Sequence, residues 1–429
     1  MKKDRVSVGI IGFGTVGTGA VKILLSSAGL LKEKLGFPVE LKRIADIDVL
    51  RDRGIKLPEG MLVRDADEVI SDPGIDIVVE LMGGIHPAKE YLLGAIRNGK
   101  HVVTANKALL ALEGNELFAE AGRRGVGVGF EAAVAGGIPI IKVIREGLIA
   151  NRILSVYGII NGTSNYILTK MTDEGMEFED ALREAQRLGY AEADPTLDVE
   201  GVDAAHKLTI LASLAYGIPL SFERVYKEGI TRVARQDIEF AGELGYKIKP
   251  LAIAKCTDGE VELRVHPTML PKDYLIAKVD GVFNAVYVNG DAAGETLYYG
   301  RGAGDMPTGS AVLSDICDLA RDIVSGARRP ALPTGSGLKI KPVEEIESMY
   351  YLRFSALDRP GVLSKLAGAL GENNISIASV IQKGRRVGEA VPLVMLTHKA
   401  KEKDILSAVG ELDGLPVVAA KTHFIRVEG

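Results

Sequence analysis

The chain has 429 residues, 47% of them hydrophobic and 25% charged, with a formal net charge of −5. That size predicts two or three domains of ordinary globular composition. No apolar run reaches the roughly 18 residues of a membrane helix. No basic run or aromatic platform suits nucleic acid. The only cysteines, Cys256 and Cys317, lie far apart, so neither a disulfide framework nor a zinc motif is expected, which suits a reducing cytoplasm.

The start, M-K-K-D-R-V-S-V-G-I-I-G-F-G, reads as a buried parallel strand (6–11) running into glycines and not as a signal peptide. Gly12, Phe13, Gly14, Thr15, Val16 and Gly17 form G-x-G-x-x-G and lead into the helical pattern A-V-K-I-L-L. Strand, glycine motif and helix in that order are a dinucleotide-binding fingerprint. Gly12 permits the tight turn, Gly14 admits the pyrophosphate and Gly17 lets the helix pack against its strand. The helix N-terminus supplies amides and a positive dipole end.

Further strands are expected at 39–46, ending in Asp46, then at 75–81, 101–105 and 126–132, with helices at 88–98 and 108–123 between them. A βαβ series implies a parallel sheet whose ligands lie at the strands' carboxyl ends. Those ends carry Gly12–Gly17, Asp46, Met82–Gly84, Thr104–Lys107 and Glu131–Gly137. Asp46 suits a ribose 2′-hydroxyl and hence NAD. Arg43 and Arg51 are close enough in sequence to meet a 2′-phosphate, so the choice between NAD and NADP stays open, leaning to NADP with NAD tolerated.

From about 140 the pattern becomes α+β. A strand turns into a helix across R-I-L-S-V-Y-G-I-I-N-G-T-S-N-Y-I-L, acidic amphipathic helices follow at 177–188 and 203–216, and β-rich stretches occupy 250–265 and 275–300. The fold class is therefore α/β. A Rossmann-type doubly wound parallel sheet spans 1–140, with a helix at 309–325 returning to it. An α+β substrate domain spans 141–308 and a Pro/Gly-rich linker 326–347. The tail, 348–429, reads as a ferredoxin-like βαββαβ unit.

A nicotinamide cofactor narrows the chemistry to hydride transfer, and the reduced carbonyl oxygen must then take a proton. Lys207 is one candidate. It lies four residues after Asp203, so the two share a helix face that continues through Ile210, Leu211 and Leu214. A lysine on an apolar stripe is unusual, and desolvation lowers an ammonium's pKa toward a useful range. The bland alternative is an ordinary surface ion pair. Lys107, in T-A-N-K after the fourth strand, is the second candidate; a cation at a helix N-terminus calls for an anionic partner. His206 is expected on the wetter face of its helix, and His86 as a mere cap. Neither cysteine sits where it would be activated. Glu192, Asp194, Asp198 and Asp203 lie close in sequence and suit a substrate ammonium, or else form a solvated loop with Asp198 capping the next helix. Backbone carbonyls of E-A-A-V-A-G-G-I-P, with Glu131, could hold a hard cation.

Taken together, G-F-G-T-V-G, T-A-N-K (104–107), F-E-A-A-V-A-G-G-I-P (130–139), G-I-I-N-G-T-S-N-Y-I-L (158–168), L-G-Y-A-E-A-D-P-T-L-D-V-E-G-V-D-A-A-H-K-L-T-I-L (188–211) and G-R-G-A-G-D-M-P-T-G-S-A-V (300–312) resemble the homoserine dehydrogenases. L-D-R-P-G-V-L and E-N-N-I-S-I resemble the ACT regulatory domain that some members carry at the C-terminus. The resemblance covers nearly the whole chain. It implies reversible NAD(P)H-dependent reduction of L-aspartate 4-semialdehyde to L-homoserine, in threonine, methionine and isoleucine biosynthesis. It implies proton transfer by Lys207 assisted by Lys107, and substrate contacts from Glu192, Asp198, Asp203, Gly162 and Thr163. Cofactor contacts are implied at Phe13, Thr15, Val16, Thr104, Lys107, Gly189 and Gly304. A sodium ion is implied at Glu131, Val134, Gly136 and Ile138. The resemblance further implies dimers, or tetramers, formed through the middle domain. An amino-acid effector such as threonine is expected at Asp358, Gly361, Asn374 and Ile375. The competing readings are a dehydrogenase of another amino-acid aldehyde and a non-catalytic amino-acid sensor.

Overall fold

A computed structural model describes residues 3–327, 332, 335–382 and 389–429. Of the linker expected at 326–347, residues 328–331, 333 and 334 lie outside this description. The chain divides into two compact units. One comprises Met1–Gly162, Asp203–Val225 and Val282–Leu338; the other comprises Thr163–Val202, Tyr226–Gly281 and Lys339–Gly429.

The first unit is built on a parallel sheet of β1 (Val6–Ile11), β2 (Val39–Ala45), β3 (Leu62–Val63), β4 (Ile77–Glu80), β5 (His101–Thr104) and β6 (Val128–Gly129), in the order β3-β2-β1-β4-β5-β6. This is the Rossmann-type arrangement, with β1 and β4 adjacent where the strand order reverses. Val6, Val8 and Ile10 on β1, and Ile77 and Val79 on β4, are fully buried, as a sheet covered on both faces requires. The short edge strand β3 gives no alternation and was not expected. The expected fifth strand, 126–132, shrinks to β6, because Glu131–Ala133 turns into a 3₁₀ segment.

The returning helix begins at Asp305, four residues before the expected start, and runs to Ser325. It lies against the helix Thr15–Ser26 at backbone distance. A Cβ on Gly19 would meet the Asp305 carbonyl oxygen at 2.1 Å, and one on Gly309 would meet the Ala20 nitrogen at 2.8 Å. The unit also holds an antiparallel set formed by Ile153–Ile159, Phe283–Gly290 and Gly294–Arg301. The β-rich stretch expected at 275–300 becomes strand only from Phe283, because Ile276–Lys278, in the other unit, forms a 3₁₀ turn.

In the second unit, Tyr246–Thr257 pairs with Glu260–Pro271, and Thr268 and Met269 of the latter pair in parallel with Arg426 and Val427. The C-terminal unit is βαββαβ as read from sequence. Strands Glu347–Leu357, Ile377–Gln382, Ala390–Thr397 and Val418–Val427 are covered by helices Val362–Glu372 and Glu402–Asp413. Its core is Tyr350, Leu352, Phe354, Leu366, Leu370, Met395, Ile405 and Leu412.

That joint is filled by buried charge. Arg426, fully buried, donates to Glu402, to Glu228 at 2.7 Å and to the Tyr226 hydroxyl at 3.0 Å. Arg264 pairs with Glu428 and Glu262. Asp237 accepts from Arg353 at 2.6 and 3.1 Å and from the Tyr351 hydroxyl at 3.0 Å. Buried ions of this kind must be paired to be tolerated.

Candidate active site

The helix Val202–Tyr216 is not amphipathic as expected. Nearly every side chain on it is buried, so its polar residues are held by neighbours and not by water. His206 accordingly sits inside, stacked on Phe222 with ring centroids 4.5 Å apart. The wetter face expected for it does not exist.

Asp203 is 7% and Lys207 9% exposed. Lys207 Nζ donates to Asp203 Oδ2 at 2.6 Å and to the Ile160 carbonyl oxygen at 2.7 Å. The i,i+4 pair is therefore buried, and the surface-pair alternative fails. Asp203 Oδ1 lies 3.0 Å from Lys107 Nζ. The anionic partner that Lys107 called for is thus Asp203. Asn161 Nδ2 adds a hydrogen bond to Asp203 Oδ2 at 2.9 Å. Burial by itself would raise the Asp203 carboxyl. The Lys207 and Lys107 ammonium groups, with hydrogen bonds from Lys207 and Asn161, instead hold it below the usual carboxylate range.

Lys107 owes its place to a buried scaffold at the ends of β4 and β5. Glu80, fully buried, accepts the Met82 and Gly83 amides on Oε1 and the Thr104 hydroxyl on Oε2 at 2.6 Å. Thr104 Oγ1 in turn accepts the Asn106 amide. Asn106 Oδ1 caps the helix Lys107–Arg124 through the Leu109 amide, while Nδ2 donates to the Gly84 carbonyl oxygen. Lys107 is the first residue of that helix. Glu80, Asn106 and Asn161 were not singled out from sequence. The acid interrupting I-V-V-E-L was the available signal for Glu80, since an unpartnered carboxylate has no place in a buried strand.

The glycine motif behaves as its spacing requires. Gly12 has φ +99, and a Cβ there would meet Leu81 backbone at 2.6 Å. A Cβ on Gly17 would meet the Gly12 carbonyl oxygen at 2.2 Å, whereas Gly14 faces open space. The first turn of helix Thr15–Ser26 carries no acid and no side-chain cap. Asp46 follows β2 and accepts the Phe13 amide at 2.6 Å and the Asp48 amide at 2.8 Å.

The arginine beside Asp46 is neither Arg43 nor Arg51. Arg43 is drawn to Glu68 at 3.0 Å, because it still belongs to β2 and projects from the strand. Arg53 takes the position instead. Its Nη2 lies 3.1 Å from Asp46 Oδ1, its Nε donates to the Phe13 carbonyl oxygen at 2.6 Å, and its guanidinium stacks 4.7 Å over the Phe13 ring. Gly304 immediately precedes the returning helix with φ +132.

In the second unit Thr163 Oγ1 donates to the Tyr190 carbonyl oxygen at 2.6 Å, and Ser164 Oγ to the Asp198 carbonyl oxygen at 2.8 Å. The start of helix Gly162–Glu174 is thereby stitched to the acidic segment that follows Gly189. Glu192 is exposed, Asp198 is half-buried in the turn Thr196–Val199, and Asp194 caps that turn through Thr196.

Glu131 is buried, and its two carboxylate oxygens accept the Ile141 and Lys142 amides at 2.9 Å each. Burial pushes its carboxyl up to about 7. Ala135 and Gly136 adopt left-handed backbone, φ 56 and 49. Among the described residues no group of three or more His, Cys, Asp or Glu side chains could hold a metal. Burial raises both cysteine thiols, the reverse of activation.

In the C-terminal unit Gly361, with φ +85, opens the helix Val362–Glu372, while Asn374, with φ +58, and Ile375 follow its other end. An eleven-residue helix spans about 16 Å. The four expected effector residues thus form two separate groups within one chain, Asp358 with Gly361 and Asn374 with Ile375.

Comparison with known proteins decides the family. Residues 139–317 match the homoserine dehydrogenase pattern, 12–131 the homoserine dehydrogenase NAD-binding domain and 350–417 the ACT domain. A homoserine dehydrogenase of Pseudomonas aeruginosa is 51% identical, with 99% of each chain covered. The chain belongs to the homoserine dehydrogenase family. One from Neisseria gonorrhoeae is 49% identical over 99% of this chain and 98% of its own. The crystal structure of a homoserine dehydrogenase from Thiobacillus denitrificans superposes with a TM-score of 0.93 at 50% identity, covering 99% of this chain and 98% of that one. A hyperthermophilic archaeal homoserine dehydrogenase in complex with NADPH matches with a TM-score of 0.63 at 28% identity, over 76% of this chain and 99% of that one. The chain is accordingly an oxidoreductase that interconverts L-aspartate 4-semialdehyde and L-homoserine with a nicotinamide nucleotide. Its ACT domain points to regulation by a small molecule. No helix among the described residues is long and apolar enough to cross a membrane.

Proposed function

We propose that Lys207 is the acid and base of this reaction, with Lys107 assisting and Asp203 holding both. The observation that carries this reading is the buried Asp203 carboxylate, 2.6 Å from Lys207 Nζ and 3.0 Å from Lys107 Nζ. A bound nicotinamide supplies hydride to the aldehyde carbon, or takes it back from the alcohol. As the aldehyde oxygen gains charge, the Lys207 ammonium gives it a proton; in reverse, the neutral amine takes the hydroxyl proton of homoserine. Lys107, half-exposed and at the ligand-bearing edge of the sheet, orients the substrate and adds positive charge beside its oxygen. Glu192, Asp198, Gly162 and Thr163 bind the amino-acid portion of the substrate, the two acids answering its ammonium. The pathway served is that of threonine, methionine and isoleucine, in the cytoplasm.

Gly12–Gly17, Thr104 and Gly304 would hold the nucleotide. NADP(H) is preferred and NAD(H) tolerated. The pairing of Arg53 with Asp46 supports this, since a cation beside the acid relieves repulsion of a 2′-phosphate while the carboxylate can still accept a ribose hydroxyl. The oxygen donors at Glu131 and the left-handed backbone at Ala135 and Gly136 fit a hard monovalent cation. Sodium there would be held by Glu131 and by backbone oxygens of Val134, Gly136 and Ile138, and would brace the loop after β6.

The ACT domain binds an amino acid such as threonine. Because Asp358 and Gly361 are separated from Asn374 and Ile375 by a helix length, one effector touches both groups only if a second copy supplies the other half. That favours a homodimer or homotetramer. The test of the whole reading is absorbance at the nicotinamide band with L-homoserine and NADP⁺, followed by titration of threonine, lysine, methionine and isoleucine. Turnover specific to homoserine is expected, with inhibition by one of the four. Turnover with another amino alcohol but not with homoserine would overturn the assignment of substrate.

A further inference from the structure

The strand Ile153–Ile159 ends two residues before the helix Gly162–Glu174, and both intervening residues turn polar groups onto the lysine–aspartate pair. Ile160 does so with its carbonyl oxygen, 2.7 Å from Lys207 Nζ. Asn161 does so with its carboxamide, 2.9 Å from Asp203 Oδ2, the same oxygen that accepts Lys207. Asn161 is buried, as are Asp203 and Lys207. Next to Asn161, a Cβ on Gly162 would meet the Val282 carbonyl oxygen at 2.8 Å, so the backbone that carries the carboxamide is closely packed.

We propose that Asn161 is a positioning residue for proton transfer, holding the Asp203 carboxylate in place and ionised while Lys207 changes charge. This deepens the function proposed above and rests on Lys207 being its acid and base. Lys207 and Lys107 are the ammonium groups in contact with Asp203. When Lys207 gives up its proton, Asp203 loses one of its two positive partners. A buried carboxylate so deprived becomes a better proton acceptor and competes with the substrate oxygen. The Asn161 amide is neutral, so its hydrogen bond is present in both protonation states of Lys207. It tempers the basicity of Asp203 and fixes the direction from which Oδ2 faces the lysine.

Removing the amide therefore has two consequences. Asp203 becomes more basic and pairs more strongly with the Lys207 ammonium, so the lysine releases its proton at higher pH. The pair also loses an anchor, so kcat falls. Asn161→Ala is expected to lower kcat for homoserine oxidation about 10- to 100-fold, the size of a lost hydrogen bond to a charged group. The KM for homoserine should change less than 3-fold, roughly. The limb of the pH profile that rises with deprotonation of the base should move to higher pH.

The experiment measures kcat, KM and the pH profile for Asn161→Ala and the isosteric Asn161→Asp, with Lys207→Ala alongside and melting temperatures for all three. Asn161→Asp keeps the shape but adds negative charge, so its limb should move upward further than that of Asn161→Ala. A wild-type kcat and an unmoved limb in both Asn161 variants, with Lys207→Ala inactive, would overturn the role of Asn161 alone. A kcat loss with an unmoved limb and a lowered melting temperature makes Asn161 merely structural and overturns it too. An active Lys207→Ala would instead overturn the assignment of the base on which this inference rests.

Discussion

Asp203 on the helix Val202–Tyr216 reaches Lys107, which opens the helix following β5, with 3.0 Å between Oδ1 and Nζ. One carboxylate thus joins the edge of the nucleotide-binding sheet to the helix that carries the second lysine. Replacing it tests both contacts at once. Asp203→Asn keeps the shape but leaves two ammonium groups without their shared anion. Each then favours its neutral form, so the rising limb of homoserine oxidation should move to lower pH, opposite to the change expected for Asn161→Ala. A kcat loss of about 100-fold is expected from misplaced general-base chemistry. A limb that stays in place would show that Asp203 does not set the charge of the base.

Arg53 is expected to discriminate between cofactors. Its guanidinium lies 3.1 Å from Asp46 and is stacked on Phe13 of the glycine motif. Arg53→Ala should raise the KM for NADPH about 10-fold or more, the loss of one charge-assisted contact. The KM for NADH should change by no more than about 2-fold, since Asp46, the acid proposed to meet a ribose hydroxyl, remains. Steady-state assays with both nucleotides decide this. Equal losses with the two would make Arg53 a brace for the Phe13 turn and nothing more.

The buried ions of the second unit should be costly to break and cheap to replace together. Arg426 is fully buried between Glu402 and Glu228. Arg426→Ala strands two carboxylates and should destabilise by about 3–5 kcal/mol in denaturant unfolding. Arg426→Met combined with Glu402→Gln and Glu228→Gln removes the stranded charge and should recover most of that loss. Equal stability of the single and triple variants would contradict the pairing account.

Acid should unfold the chain partly through His266. Burial and the nearby Arg426, Arg264 and Lys255 cations hold this imidazole well below its ordinary pKa, against a smaller opposing effect of the Pro267 carbonyl oxygen. The folded chain therefore refuses a proton that the unfolded chain accepts below about pH 6.5. Stability should be level above that pH and fall as pH drops through it, by up to about 1.4 kcal/mol per pH unit from this group. His266→Gln should flatten the decline between about pH 6.5 and 4. An unchanged slope in thermal or denaturant unfolding would assign the acid sensitivity to other groups.

Much of the fold was legible because apolar runs, glycines and helical spacing report local physics directly. The strands at 6–11, 39–46 and 101–105 and the βαββαβ tail follow that pattern. The Asp203–Lys207 pair was legible from spacing alone. What supports it was not. Glu80, Asn106 and Asn161 act through partners distant in sequence, such as Thr104, Gly84 and Asp203, and no periodicity marks such contacts. Distance along the chain points to Arg43 and Arg51. The turn after β2 brings Arg53 to Asp46 instead, while Glu68 takes Arg43. His206 departs from the sequence expectation because small and hydroxyl neighbours resemble a wet face, whereas the helix is enclosed on nearly all sides.

The most direct test of the account is the rate of hydride transfer from L-homoserine to NADP⁺ by Lys207→Ala, measured at the nicotinamide absorbance in protein whose melting temperature is close to wild type. Removal of the buried base is expected to lower kcat by about 10²- to 10⁴-fold, with partial rescue by added primary amines. A rate equal to that of the unaltered enzyme would contradict the claim that this ammonium exchanges a proton with the substrate.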